Sequence, residues 1–185
     1  MERMEKYLMS LNLDKEKRNV LEKILEDFLK DNNIGLIAPV DVFALATELG
    51  FDVRGAEFED SLDGIIIVNE RVKVIDCFTS NKIIMYNCKR DIYDKKFNVA
   101  HELAHYIYEK RNQRNKKLFF ASRDHSENYS EDEYEQQMDY LAAAILIPKT
   151  DFERFFTDSQ NSEEIANRYK VNKELAERRV SEIFG

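Results

Sequence analysis

The 185-residue sequence predicts an α+β fold that is helix-rich, with a small, mostly antiparallel sheet of three or four strands and a C-terminal segment of short helices. Glycine and proline number only five and two, too few for a turn-rich all-β chain. Apolar residues recur with helical spacing in the first thirty residues and again from about Asp94 onward. Between those stretches the texture changes to β-branched and alternating.

In order along the chain, Val20, Leu21, Ile24, Leu25, Phe28 and Leu29 keep the i, i+3, i+4 pattern, and Asn32, Asn33 and Gly35 supply a stop. A second helix is expected from Pro39, where a missing N–H costs nothing, to Gly50. Phe51–Val53, Gly64–Val68, Arg71–Ile75 and Lys82–Tyr86 read as strands, with Asn69-Glu70 short enough for a hairpin connection. Helix returns near Asp94 and runs to about Lys110. Residues 111–128 are polar, with Leu118-Phe119-Phe120 as the one apolar anchor, and read as a loop with one buried turn. Ser130 with Glu133 three residues on forms a capping box, opening a helix that stops before Pro148. Short helices around Phe152–Phe156, from Ser162 to Tyr169 and from Lys173 to about Ile183 complete the chain. The expected organisation is an N-terminal helical extension (1–34), a central domain (35–150) and a C-terminal helical segment (151–185) packed on it.

Hydrophobic residues at 43% and charged residues at 35% allow a sizeable core. A net charge of −8 argues against a nucleic-acid-binding surface as the main business of the chain. Cys77 and Cys88 form neither a metal-type pair nor a disulfide framework, and read as free thiols in a reducing cytosol. Met1 to Lys6 has no apolar run behind it, so no signal peptide is expected. The longest aliphatic run, Ile65–Val68, is strand-sized rather than membrane-sized. A cytoplasmic protein follows as the expectation.

Chemistry concentrates in His101-Glu102-Leu103-Ala104-His105, which spells His-Glu-x-x-His in a stretch that reads as helix. Histidines at i and i+4 lie on one helical face, so two imidazole nitrogens can converge on one metal ion. The adjoining Glu102 can reach a water on that metal, the arrangement a zinc peptidase uses to activate water near neutral pH. The chain has three histidines, and two of them fall in this frame. A tetrahedral catalytic site needs a third protein ligand. One peptidase class places a His six residues beyond the second, a position that Arg111 fills here, which excludes that class. Another takes a Glu from a later helix, and Glu135-Gln136-Gln137-Met138-Asp139 fits. Glu135 would bind metal, and Asp139, one turn along, would hold the second nitrogen of a ligand histidine. Glu131, Asp132 and Glu133 read as a dipole-matched acidic first turn. His125 is a rival ligand or transition-state donor, against a solvent-exposed role in its polar loop. Tyr129, Tyr134 and His125 are alternatives for an oxyanion donor, with nothing in the sequence to choose among them.

The block Lys96-Phe97-Asn98-Val99-Ala100-His101-Glu102-Leu103-Ala104-His105, followed by Glu135-x-x-Met138-Asp139-x-Leu141-Ala142-Ala143-Ala144-Ile145-Leu146-Ile147-Pro148, resembles the ImmA/IrrE family of metallopeptidases. Weaker similarity extends the match from about Pro39 to Val180, leaving the first thirty-odd residues outside it. Ala104 stands where the family usually has Gly, Met138 where it has Ala, Leu141 where it has Phe and Ile147 where it has Met. These are small or apolar exchanges, and none touches a proposed ligand or the proton carrier.

The resemblance implies a zincin-like metallopeptidase domain with metal on His101, His105 and Glu135 and with Glu102 as the catalytic acid/base. Zn2+ is the expected ion, and Mn2+ or Fe2+ would suit the same ligands. It also implies an endopeptidase of bacteria and their mobile elements, whose substrate is a helix-turn-helix transcriptional repressor, with no direct nucleic-acid or membrane partner. The alternative is a non-proteolytic, metal-binding regulatory partner of phage or toxin–antitoxin type; the intact Glu102 counts against it. A strand edge in the Gly64–Tyr86 region is a candidate for aligning an extended substrate. A further alternative makes Ser162–Ile183 a DNA-reading helix-turn-helix, although its basic residues, Arg178 and Arg179 among them, are matched by acidic ones.

Overall fold

The computed structural model describes residues 13–58, 62–68, 80–111, 119–122, 129–156 and 161–185. The expected Arg71–Ile75 strand and its Asn69-Glu70 connection lie outside these residues. The chain forms two compact units, Asp41–Asn128 and a second that joins the residues up to Val40 to Tyr129–Gly185.

The Asp41–Asn128 unit carries the α+β texture. It opens with helix α2 (Val42–Glu48), which follows helix α1 (Lys15–Asp31) of the other unit in chain order. Pro39 does not open α2. The Asp41 side chain accepts the Phe43 and Ala44 N–H groups at 3.2 and 3.1 Å, so the helix starts where those two otherwise unsatisfied donors find a partner. Asp41→Ala should lower the unfolding free energy by about 1 kcal/mol in urea titration. Gly50, at φ +86°, takes the left-handed turn after α2 and lets the Phe51 N–H return to Ala46 O at 3.0 Å.

Strands β1 (Asp52–Ala56), β2 (Gly64–Val68), β3 (Lys82–Asn87) and β4 (Phe119–Ser122) form one sheet in the order β1-β3-β2-β4. β1 runs parallel to β3, while β2 is antiparallel to both β3 and β4, so the sheet is mostly antiparallel as expected. The strand at Phe119–Ser122 corrects the reading of residues 111–128 as a loop with one buried turn. Its pairing is long-range, Ile66 opposite Ala121, and a four-residue run flanked by polar sequence gives no local sign of that. In the Gly64–Tyr86 region β2 and β3 are each paired on both sides and offer no free edge for aligning a substrate, while residues 69–79 of that region lie outside the described residues. The outer strands of the described sheet are β1 and β4.

Helix α3 (Ile92–Arg111) packs on β2, β3 and α2. Its start is set by Asp91, whose side chain accepts the Tyr93 and Asp94 N–H groups at 2.8 and 2.9 Å. Every residue from Phe97 to Ile107 is buried, so the middle of this helix has no solvent face. Register pairs Ile66 with Ile84 and Ile67 with Ile83, and all four are buried, which places apolar layers on both faces of β2 and β3.

The other unit is helical: α1, α4 (Tyr129–Leu146), α5 (Lys149–Phe155), α6 (Ser162–Tyr169) and α7 (Lys173–Phe184). α4 is described from Tyr129, and the Ser130 side chain of the expected capping box lies outside what the structure describes. Glu133 takes the Lys17 ammonium of α1. A capping box opens α6, where Asn161 and Glu164 exchange side-chain and backbone bonds. α1 packs on α4 through a face that includes Leu21, Leu25 and Phe28. Its Glu22 is buried and accepts bonds from the Arg179 guanidinium of α7 and, at 2.9 Å, from the Tyr140 hydroxyl of α4. Arg179 is fully buried and also donates to Ile147 O at 3.1 Å, while Arg178 pairs with Glu182 at 2.8 Å. Arg178 and Arg179, two of the basic residues of the DNA-reading alternative, are therefore occupied within the unit. No helix among the described residues is long and apolar enough to cross a membrane.

Candidate metal centre

The helical spacing of His101 and His105 becomes a direct meeting of their rings on α3. The two Nε2 atoms lie 3.0 Å apart, with ring centroids separated by 4.8 Å and planes crossed at 75°. Both residues are at most 2% exposed, and Phe97 stands 6.5 Å from the His101 ring, one turn earlier. Two Nε2 lone pairs this close must share either a proton or a cation. Two imidazoles on a tetrahedral zinc, at metal–nitrogen distances of about 2.0–2.1 Å, would hold their nitrogens about 3.3 Å apart. The observed spacing is near that value.

Glu102 lies beside this pair on α3 and is 4% exposed, an enclosed carboxylate rather than a solvated one. Its seat is the head of β2: Gly64 offers no Cβ, and one built there would lie 2.6 Å from Glu102 Oε1. Glu135 and Asp139 fall one turn apart on α4, Glu135 half-buried and Asp139 buried. His101, His105 and Glu135 could hold a metal ion. Two neutral nitrogens and one carboxylate are a donor set suited to a divalent cation, which fits the group the sequence called for.

Residues 46–181 match the family model of the M78 peptidases, described as the IrrE N-terminal-like domain. The chain belongs to the ImmA/IrrE family of metallopeptidases. No curated protein matches the sequence. The family match starts within α2 and ends within α7, so it takes in α3 and α4 and leaves out α1.

Membership in this family accords with the helix-rich α+β fold and with a divalent metal at the site. Of the oxyanion candidates, Tyr134 is half-buried on α4, while His125 and the Tyr129 side chain lie outside what the structure describes. Two site features escaped the sequence. Gly64 was legible only as a glycine at the start of a strand, and its closeness to Glu102 is a tertiary fact. Asn98 lies one turn ahead of Glu102, is 3% exposed, and its Nδ2 has no hydrogen-bond partner among the described residues. Such a group costs stability and tends to occur at functional sites. The signal available in the sequence was its i, i+4 relation to Glu102.

Proposed function

We propose that this protein is a zinc-type endopeptidase that hydrolyses a peptide bond in a helix-turn-helix transcriptional repressor and so releases the genes which that repressor silences, in a mobile element or a stress response. The observation that carries the peptidase chemistry is the buried His101–His105 pair, its Nε2 atoms 3.0 Å apart, with the enclosed Glu102 carboxylate on the same helix. His101, His105 and Glu135 are the proposed metal ligands. Asp139 is proposed to accept the remaining ring N–H of a ligand histidine, which would fix its tautomer and raise its basicity. A bound divalent ion supplies Lewis acidity toward a peptide carbonyl and makes water at the site more acidic. Glu102 takes the proton from the attacking water and delivers it to the leaving amine.

The test is incubation of the purified protein with the helix-turn-helix protein encoded nearest to it, before and after metal removal. Defined cleavage products, their loss on treatment with a chelator, and their return on adding one equivalent of Zn2+ are expected. Mn2+ and Fe2+ in the add-back identify the ion that restores the highest rate. Tight binding of the repressor without cleavage in the metal-loaded protein would replace the peptidase with a regulator that acts by binding alone.

A further inference from the structure

We infer that Gly64 is a positioning residue for Glu102: the missing Cβ at the head of β2 is the seat of the catalytic carboxylate, and the Asp63–Arg90 ion pair holds that seat in place. The inference rests on the acid/base role proposed for Glu102 and adds the residues that aim it. Gly64 is buried and paired in register with Tyr86, so it is an ordinary ladder residue of β2. Its backbone does not adopt a positive φ, the usual reason for glycine. A glycine in such a position weakens a strand unless something approaches closely. Glu102 does so: a Cβ on Gly64 would stand 2.6 Å from Oε1, 3.2 Å from Cγ and 3.3 Å from Cδ. The whole end of the carboxylate therefore lies against the space that a side chain would fill.

The seat is braced from the end of β3 and the turn that follows it. Asp63, the residue before Gly64, is 4% exposed, and its Oδ1 accepts from Arg90 Nε at 2.7 Å. The Asp63 carbonyl accepts the Asn87 N–H at 3.0 Å, and Asn87 Nδ2 donates to Leu62 O at 3.1 Å. Arg90 stands two residues ahead of α3, the helix that carries Glu102. One short bracket thus ties the head of β2 to the start of α3 and sets the gap into which Glu102 reaches.

Gly64→Ala separates aim from stability. The clash falls on the far end of a flexible side chain, so the fold can absorb it by moving the carboxylate about 1 Å, to ordinary contact distance. A displacement of that size at a reacting group costs on the order of a hundredfold in rate. In the zinc-loaded protein, Gly64→Ala should keep the parent's thermal midpoint and zinc content. It should shift the Glu102 13Cδ resonance, identified as the glutamate signal missing from Glu102→Gln. With the repressor as substrate, kcat should fall on the order of a hundredfold while KM stays within about twofold. Added to Glu102→Asp, whose shorter side chain does not reach the new Cβ, the same change should cost less than about threefold. An unmoved 13Cδ resonance, or a fall in zinc content and thermal midpoint together with activity, would overturn the inference. If the parent cleaves nothing, the peptidase reading fails, and the 13Cδ resonance alone still decides whether Gly64 seats Glu102.

Discussion

Glu102→Gln is expected to retain the zinc content and thermal midpoint of the parent while repressor cleavage falls by about 10²–10⁴-fold, the range assigned to one general acid–base group. The substitution keeps the length and shape of the side chain, so the space against Gly64 stays filled and the enclosed pocket around α3 stays packed. The lost property is a basic oxygen able to take a proton from water and return it to the amine. Single-turnover cleavage by stoichiometric protein measures the chemical step directly. The loss should appear in kcat with little change in KM, because the interaction is made in the transition state rather than on binding. Parent-like cleavage by Glu102→Gln would remove Glu102 from the reaction and move the proton transfer to another group.

Glu22→Ala should lower the unfolding free energy by about 3–5 kcal/mol, the usual cost of stripping the partner from a buried charge. Arg179 is fully buried, and Glu22 is its carboxylate partner on α1, while the Glu182 carboxylate on α7 stands farther off at 3.5 Å. The same Glu22 oxygen accepts the Tyr140 hydroxyl at 2.9 Å. Burial pushes the Tyr140 phenol well above the ordinary tyrosine range, so it remains a donor and would lose its acceptor too. Urea unfolding of the purified variant reads the effect. Replacing both partners by methionine should recover most of the stability, since a buried ion pair is worth little over a well-packed apolar pair of similar volume. A loss below about 1 kcal/mol for Glu22→Ala would mean that Arg179 finds its balance elsewhere. The expected loss would make α1 part of the folded unit although it precedes the family match, which starts at residue 46.

Most helices were legible because their signals are local. Periodic apolar residues, Asn32 and Gly50 as stops and Pro148 as a boundary lie within a few residues of the ends they set. Helix starts were less legible where two capping signals competed. Pro39 lost to Asp41, which satisfies two N–H groups. The β4 strand was not legible at all, because Phe119–Ser122 is defined by pairing with Ile65–Val68, more than fifty residues earlier.

The sequence by itself determined the grouping on α3, since His101 and His105 share a face at i, i+4 with Glu102 beside them and need no distant partner. It also determined the helix-rich α+β class, through scarce glycine and proline and a change of period near Phe51. Only the tertiary structure decided what the Glu102 side chain lies against and what a buried Arg179 rests on. Gly64 and Glu102 are 38 residues apart, and Glu22 and Arg179 are 157 apart. Neither pair has a periodicity to betray it, because close approach and charge compensation depend on which elements pack together, and that is settled by the fold as a whole.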